Sequence, residues 1–467
     1  MSDPVLAHLA RERDAVLARL CDYVRIPSVS TDPAYEPAIR AAQDHLLRWL
    51  AAIGLSGVRI LEGPGHRPVY GEWLGAPGRL TVLVYGHYDV QPPDPLERWT
   101  TPPFEPSIRD GQLHARGASD DKGPTAIAIE TIAGFLAVEG KLPVNVKLLF
   151  EGEEEVGSRT LAEVVEANRE LLAADVVLSA DGARWRADLP SINIGSRGNA
   201  GFEFGIRTAA KDLHSGRYGG AVPNPLHVMA ELVASLHDAS GRIAVPGFYD
   251  GVAEAGDDER AAIATLPFDE AAWLSGIGAA AFGEAGYSTL ERLWLRPTLE
   301  VNGMWGGYTG AGSKTVIPHE AFAKLTMRLV PGQEPGRVRQ AVIDHLRARC
   351  PEGVAFEVRD IRGAAKAYVV PGDHPALAAA EATIAEVAGR APVRVKIGAT
   401  LPINDIFDRI LGLDTVMFSF ATSDEDYHAP NEFFRLSALD EGLRAWTLLL
   451  RRLGGHDPAD YAAFRRK

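Results

Sequence analysis

Cysteine is scarce in this 467-residue sequence, which contains only Cys21 and Cys350. The two lie far apart in the chain, and neither belongs to a CxxC pair. Disulfide frameworks and zinc cages made of thiolates both need several cysteines at characteristic spacings. The sequence therefore excludes both and is typical of a protein from a reducing compartment.

Long apolar runs are also missing. No stretch reaches the 18 or more apolar residues that a membrane-spanning helix needs. The first residues, MSDPVLAHLARERD, include charged side chains and lack the continuous apolar segment of a secretory signal. We therefore expect no membrane partner and a cytoplasmic location.

Positive charge is in deficit, with 48 lysines and arginines against 62 aspartates and glutamates and a net charge of −14. Without a basic block to follow a phosphate backbone, we expect no nucleic-acid partner. A G-x-S-x-G nucleophile elbow and Gly-rich phosphate loops are absent as well. These absences disfavour a serine hydrolase and a kinase.

The apolar pattern that is present indicates two kinds of domain. Short buried-strand runs at Thr81–Tyr85 and Val144–Phe150 flank a predicted helix at Gly123–Glu139, which favours a mostly parallel sheet covered by helices. From about Arg197 the pattern changes, and Phe202–Ile206 alternates like a strand with one exposed face. Further helices are predicted at Pro4–Ile26, Ala38–Ile53, Pro225–Asp238, Pro375–Val387 and Ser437–Leu453.

We therefore predict an α/β fold of two domains, in agreement with the length of the chain. Residues 1–197 and 366–467 form a discontinuous domain with a mostly parallel, helix-covered sheet. Residues 198–365 form an α+β domain inserted into it.

Histidine and carboxylate side chains collect where the predicted strands end. Ligands in open α/β sheets bind outside the carboxyl ends of the strands, so we expect these side chains to meet at one edge. Imidazole and carboxylate groups suit Zn²⁺ or Mn²⁺, and two divalent cations would neutralise carboxylates that otherwise repel one another. The residues concerned are His87, Asp89, Asp120, Glu154, Glu155, Asp181 and His428.

Each of these positions also has an ordinary structural interpretation. Asp120–Asp121 can cap the helix that follows, and a run of glutamates is usually a solvated face. Asp181 can belong to a turn, and a lone histidine such as His428 is more often structural than a ligand. These interpretations weaken together, because all of them would have to hold at one edge of the sheet.

Five longer strings resemble the dinuclear-zinc metallopeptidases. This family includes cytosolic non-specific dipeptidase, carnosinase, glutamate carboxypeptidase, aminoacylase and succinyl-diaminopimelate desuccinylase. The resemblance covers nearly the whole chain, and the DVQP and DDKGP versions of two motifs favour the dipeptidase branch. The strings are Gly86–Pro92, Arg116–Pro124, Glu154–Ser158, Asp212–Gly216 and Lys314–Pro318.

The resemblance implies a set of five metal ligands. Asp120 would bridge two divalent ions, with Zn²⁺ expected first and Mn²⁺ or Co²⁺ as alternatives. His87 and Asp181 would complete the ligand shell of one ion. Glu155 and His428 would complete the other.

The resemblance also implies roles beside the ions. Glu154 would be the general base, and Gly157–Ser158 fixes which glutamate of the run takes that role. Asp89 would orient His87 or its neighbours. The peptide bond that follows Asp120 would be cis, as it often is in the family.

The inserted domain would then be a lid and dimerisation domain. His214 would reach the active site of the partner subunit in a homodimer and stabilise the oxyanion. Thr315 and Arg328 would bind the carboxylate of the substrate. Thr400 would lie in a substrate-binding loop of the discontinuous, catalytic domain.

The expected function is metal-dependent hydrolysis of dipeptide amide bonds by an activated water, with a small peptide as the partner. One alternative is an N-acyl- or N-carbamoyl-amino-acid amidohydrolase of the same family, which would use the same chemistry. Another is a non-catalytic homologue that binds metal or peptide.

Overall fold

The computed structural model describes residues 3–466, so residues 1, 2 and 467 of the predicted first domain lie outside the described residues. The chain divides into two compact units. The first unit comprises the chain up to Ile194, Val370–Val395 and the chain from Ile403 onward. The second comprises Gly195–Val369 and Lys396–Pro402.

This division differs from the predicted domains by a few residues at each boundary, since residues 195–197 and 366–369 belong to the second unit, and by one further segment. Lys396–Pro402 belongs to the second unit, although residues 366–467 were predicted to return to the first domain. Its contacts explain the difference. Arg197 Nε donates to the Gly398 carbonyl at 2.7 Å, and Arg328 Nη1 donates to Thr400 Oγ1 at 2.8 Å. Thr400 therefore lies in the second unit, not in the catalytic domain as predicted.

The described residues form strands along much of the chain. They are β1 Ser56–Ile60, β2 Val69–Trp73, β3 Thr81–His87, β4 Ser107–Arg109, β5 Gln112–His114, β6 Asn145–Glu151, β7 Val176–Ser179, β8 Ser191–Ser196, β9 Gly198–Arg207, β10 Leu213–His214, β11 Thr298–Gly306, β12 Val316–Ile317, β13 Glu320–Leu329, β14 Ala355–Ala365, β15 Tyr368–Val369, β16 Val393–Ile397, β17 Thr415–Met417 and β18 Phe433–Arg435.

Helices alternate with these strands. They are α1 Pro4–Arg11, α2 Arg13–Val24, α3 Glu36–Ala52, α4 Gly123–Glu139, α5 Leu161–Ala167, α6 Arg169–Leu172, α7 Ser215–Tyr218, α8 Pro225–Ala234, α9 Asp257–Ala264, α10 Glu270–Gly276, α11 Thr289–Trp294, α12 Pro335–Arg349, α13 Pro375–Ala388, α14 Pro402–Ile406 and α15 Leu436–Leu453. Within residues 3–466, none of the helices is long and apolar enough to cross a lipid bilayer.

The first unit is built on a sheet with the strand order β1-β2-β6-β3-β7-β17. β6, β3, β7 and β17 pair in parallel. β2 pairs antiparallel with β6 on one side and with β1 on the other. β6 and β7 are buried along their whole length, as parallel strands covered on both faces should be. Helices α3, α4 and α13 contact the sheet. The predicted α/β class with a mostly parallel sheet is confirmed.

Helix α4 shows why the sequence folds this way near the site. Pro124 lies in its first turn, where a proline fits, and Gly140 ends it with a left-handed φ of 63°. Its side chains are apolar on nearly all sides, and most are buried. This interior helix begins directly after the Asp120–Asp121 pair, so its packing fixes where that pair lies.

The second unit contains an antiparallel sheet with the strand order β11-β13-β9-β14. Phe202 and Phe204 on β9 and Met327 on β13 belong to its buried core. Helices α8 and α12 contribute Met229 and Val342 to the same core. This is the α+β arrangement that the alternating strands predict.

Two predictions of helices differ from the structure. The predicted helix Pro4–Ile26 is two helices, α1 and α2, which meet at Glu12 with φ −87° and ψ 5°. The apolar spacing continues across this break, so no pattern in the sequence marks it. Helices α9, α10 and α12 had no helical prediction, and α9 and α10 bury none of their residues.

Candidate metal centre

The five predicted metal ligands all lie in the first unit and form two overlapping groups. His87, Asp120 and Asp181 make one group, and Asp120, Glu155 and His428 make the other. Within each group, one potential ligand atom per residue lies within 4.8 Å of the others. Asp120 belongs to both groups, which is the arrangement that a bridging carboxylate requires.

The carboxylate of Asp120 faces a different histidine with each oxygen. Oδ1 lies 3.0 Å from His87 Nε2, and Oδ2 lies 3.0 Å from His428 Nε2. The Asp120–Asp121 peptide bond is cis, as the family resemblance implies.

His87 is the last residue of β3, and its ring is held from the opposite side. Its Nδ1 lies 3.0 Å from the Asp89 carbonyl oxygen, which leaves Nε2 facing Asp120. Its backbone N–H donates to Asp121 Oδ2 at 3.2 Å. A histidine with one nitrogen held by a carbonyl presents the other nitrogen to a metal in a fixed orientation.

Asp89 also holds the turn that carries the two glutamates. Its carboxylate accepts hydrogen bonds from the backbone N–H groups of Glu154 and Glu155 at 3.2 and 3.1 Å. Asp89 is fully buried. It therefore touches both His87 and the segment after β6, and both contacts agree with the positioning role that the resemblance implies.

The neighbouring residues Glu153 and Glu155 make different contacts. Glu155 Oε2 lies 3.1 Å from His428 Nε2 and accepts from Gln91 Nε2 at 2.9 Å. Glu153 bonds elsewhere, to the backbone N–H and hydroxyl of Thr160. The structure therefore places Glu155, not Glu153, in the ligand group.

Asp181 gives the clearest sign that these donors suit a cation. It follows β7, and its Oδ2 is buried without a hydrogen-bond partner among the described residues. A buried carboxylate oxygen without a partner costs free energy. A divalent cation held by His87, Asp120 and Asp181 would remove that cost, and one histidine with two carboxylates is a donor set that Zn²⁺ accepts.

The charges in the centre are crowded. Burial raises the pKa of Asp181 to about 6 and that of Glu155 to about 7, and neighbouring carboxylates add to both shifts. Hydrogen bonds to Asp120 and Glu155 raise the pKa of His428 to about 10. Burial opposes the same effect at His87, but Asp120 raises its pKa well above the usual value. Bound cations would take the place of these protons.

The remaining predicted site residues belong to the second unit. His214 is exposed at the end of β10, where its Nδ1 accepts from the Gly216 N–H at 3.0 Å. Thr315 is exposed before β12. Arg328 on β13 is half-buried and donates to Thr400. Arg328 also lines a cavity of about 410 Å³ within this unit.

Two buried carboxylates near Asp120 have roles that sequence reasoning missed. Asp121 accepts from the backbone of His87. Glu432 accepts from the backbone N–H of Asp120 at 3.1 Å. No motif of the sequence analysis marks Glu432, which lies four residues after His428 in the chain.

The fold and the site define an α/β protein with a candidate dinuclear metal centre at the carboxyl edge of its sheet. Residues 83–452 match the model of Peptidase family M20/M25/M40, and the chain belongs to this family. The family that the sequence motifs predict is therefore confirmed.

Similar proteins span nearly the whole chain. Beta-Ala-His dipeptidase of Homo sapiens is 31% identical over 92% of this chain and 88% of its own length. Cys-Gly metallodipeptidase DUG1 of Candida albicans is 29% identical over 94% of this chain and 95% of its own length. The crystal structure of the M20 family metallo-carboxypeptidase Sso-CP2 from Sulfolobus solfataricus has a TM-score of 0.84 and 32% identity, and the match covers 94% of this chain and 99% of that chain.

Proposed function

We propose that this protein is a metal-dependent dipeptidase that hydrolyses the amide bond of small peptides. The observation that carries the proposal is the carboxylate of Asp120, whose two oxygens each lie 3.0 Å from a different histidine. The names of the relatives, Beta-Ala-His dipeptidase and Cys-Gly metallodipeptidase, supply the substrate class.

Two divalent ions are the proposed cofactors. His87, Asp120 and Asp181 would hold one, and Asp120, Glu155 and His428 would hold the other. Zn²⁺ is the first choice, and Mn²⁺ or Co²⁺ are the alternatives. Such ions, when bound, polarise oxygen atoms and lower the pKa of water.

Glu154 is the proposed general base. It takes a proton from the attacking water as the C–O bond forms, and then gives that proton to the nitrogen of the leaving amine as the peptide C–N bond breaks. The backbone N–H of Glu154 donates to Asp89 Oδ1 at 3.2 Å, and we expect this bond to hold Glu154 next to the ligand groups. Glu154 stays free of the ligand groups, as a base must.

The residues of the second unit are the proposed substrate contacts. Arg328 and Thr315 bind the carboxylate of the peptide, and Thr400 orients the Arg328 guanidinium through their hydrogen bond. His214 donates to the carbonyl oxygen that becomes negative during attack, in the active site of a partner subunit. Its exposure leaves it accessible for this purpose.

A homodimer formed through the second unit is part of the proposal. β11 is an edge strand of its sheet, and Met304, Trp305 and Tyr308 on or just after it are exposed. An open edge with large apolar side chains is suited to pairing with a second copy. Light scattering coupled to size-exclusion chromatography should give the mass of two chains. The cytoplasmic location stays a prediction.

A substrate panel tests the proposal. The metal-free protein is assayed before and after addition of Zn²⁺, Mn²⁺ or Co²⁺ on dipeptides, a tripeptide, N-acetyl amino acids and N-carbamoyl amino acids. We expect metal to restore cleavage of dipeptides above all others.

Other outcomes separate the alternatives. Cleavage restricted to acylated or carbamoylated amino acids would make the protein an amidohydrolase of the same family. Preference for the tripeptide would favour a carboxypeptidase, the activity named for the structural relative. Metal binding without any hydrolysis would indicate a binding protein.

A further inference from the structure

Glu432 is a buried carboxylate outside the proposed chemistry, and both of its oxygens are engaged. Its relative exposure is 0%. Oε2 accepts from Arg116 Nη1 and from the Gly117 N–H, each at 2.8 Å. Oε1 accepts from the N–H groups of Ser119 at 2.9 Å and Asp120 at 3.1 Å. Three of the four donors are therefore backbone groups that lead into Asp120.

Within residues 3–466, the N–H groups of Gly117, Ser119 and Asp120 donate to no backbone carbonyl outside the regular elements. Asp120 has φ −124° and ψ 95°, which is not a helical conformation, although the interior helix α4 starts only three residues later. N–H groups ahead of a helix have no acceptor within it. The Glu432 carboxylate satisfies them and so fixes the irregular backbone from which the Asp120 side chain extends.

The main chain of Glu432 makes a second connection to the same segment. Its carbonyl accepts from the Ala115 N–H at 3.1 Å, and the next residue, Phe433, pairs with His114 across β18 and β5. Four residues before Glu432 lies His428, whose Nε2 faces Asp120 Oδ2. One residue thus joins the segment that carries Asp120 to the segment that carries His428.

We propose that Glu432 is a positioning residue for the metal centre. It holds the backbone of Asp120 so that the two carboxylate oxygens stay directed at His87 and His428. This role rests on the proposed function, because it assumes that Asp120 bridges two ions. Glu432 itself contacts neither substrate nor ion, since its oxygens are occupied by the four donors.

Replacement of Glu432 by glutamine tests the role with little change in shape. The amide NH₂ would face backbone N–H groups, so one of the two positions now held by carboxylate oxygens would lose its hydrogen bonds. Glu432→Asp keeps the charge but shortens the side chain by one methylene, so it should retain part of the hydrogen bonding to the segment that carries Asp120. Residues that orient metal ligands typically contribute about 10- to 100-fold to metal affinity.

Glu130 offers a matched control in the same unit. It is also a buried glutamate, 2% exposed, and it is bound by the guanidinium of Arg19 through both oxygens. It has no hydrogen bond to any predicted metal ligand among the described residues. Glu130→Gln therefore removes a buried, arginine-paired charge without touching the metal centre.

The experiment measures the Co²⁺ affinity of the metal-free protein by competition with a coloured chelator, together with the visible absorption spectrum of bound Co²⁺. For Glu432→Gln we expect an affinity about 10- to 100-fold below wild type and a changed spectrum. Glu432→Asp should fall between the two. Glu130→Gln should keep the affinity and spectrum of wild type, even if it unfolds more easily.

Two results would overturn the role of Glu432. One is wild-type affinity and spectrum in Glu432→Gln, and the other is an equal loss of affinity in Glu130→Gln. If Glu432→Gln does not fold, Glu432→Asp decides by the same criteria. A wild-type protein that binds no Co²⁺ would instead contradict the proposed function, and the role of Glu432 would fall with it.

Discussion

The predicted metal ligands and the predicted substrate contacts differ in how firmly the fold holds them. In the first unit, His87 is buried. The backbone N–H groups of Asp120 and Glu155 each donate to a buried carboxylate. In the second unit, His214 and Thr315 are exposed. One compact unit therefore brings the five predicted metal ligands together by itself, whereas His214 and Thr315 leave their side chains open to solvent.

The largest effect should come from the base, which belongs to the firmly held set. Glu154→Gln removes the proton carrier but leaves every predicted metal ligand in place. We expect hydrolysis to fall by about 10²- to 10⁴-fold with the metal content unchanged. Initial rates on a dipeptide and metal analysis of the purified variant would show this.

Glu153→Gln is the matched control for that variant. Glu153 is the preceding residue, but its carboxylate bonds to Thr160 outside the ligand groups. Its replacement should leave hydrolysis close to wild type. A large loss in Glu153→Gln with an active Glu154→Gln would mean that the base is one residue earlier.

The next effect tests the outward-facing set. Loss of one hydrogen-bond donor to a developing oxyanion costs about 10²- to 10³-fold in kcat, so we expect this loss in His214→Ala. Dimers mixed from His214→Ala and Glu154→Gln chains should regain activity, because one site then receives both intact residues. Random mixing should restore about a quarter of the sites.

Failure of mixing to restore activity, in dimers shown to exchange, would place His214 in the site of its own chain or outside the mechanism. Each variant mixed with itself serves as the baseline. The kinetic readout distinguishes a catalytic contact from a structural one, because only complementation between chains restores the rate.

A smaller effect is expected at Arg328. A hydrogen bond to a charged group contributes about 1.5–3 kcal/mol, so Arg328→Met should lower kcat/KM by about 10- to 100-fold, mainly through KM. The loss should disappear for a dipeptide amide, which lacks the carboxylate. Lys324→Met, on the same strand with an exposed side chain, should show no such discrimination. Equal losses on the acid and the amide would contradict carboxylate binding.

The smallest effect concerns stability and contrasts with the histidines of the metal centre. His374 is buried without a carboxylate hydrogen bond, and burial lowers its pKa to about 4, against a weak opposing effect of Asp373. Its Nδ1 accepts from the Ala376 N–H, and its ring packs on Tyr461. The folded protein therefore favours the neutral imidazole of His374.

Because the folded pKa of His374 lies below the unfolded value near 6.5, its contribution is complete above pH 6.5 and is lost as the pH falls towards 4. Between pH 7 and pH 5, the loss should be about 2 kcal/mol. His374→Asn keeps a helix-capping side chain and should remove this part of the pH dependence. Urea unfolding of both proteins at the two pH values gives the free energies of unfolding. An equal loss between pH 7 and pH 5 in both proteins would contradict the role of His374.

The sequence indicated which histidine and carboxylate side chains meet better than it indicated the residues that support them. The ligands follow strands or start a helix, so motif and position indicated His87 and Asp120 together. Glu432 and Asp121 support them through backbone N–H groups, and such contacts leave no periodic pattern in a sequence.

The same contrast holds for the fold. Helix α4 has the predicted bounds, because Gly123 and Gly140 border a continuous apolar segment. The unit that contains Thr400 was mispredicted because a hydrogen bond to Arg328, 72 residues away in the chain, decides it. Contacts of that kind depend on packing and not on local pattern.

The most direct test of the central account is to locate the ions. Crystals of the protein with Co²⁺ would be measured at the cobalt absorption edge, and the anomalous difference map would be calculated. We expect two peaks, one among His87, Asp120 and Asp181 and one among Asp120, Glu155 and His428. A single peak, or peaks that Asp120 does not share, would contradict a dinuclear centre bridged by this residue.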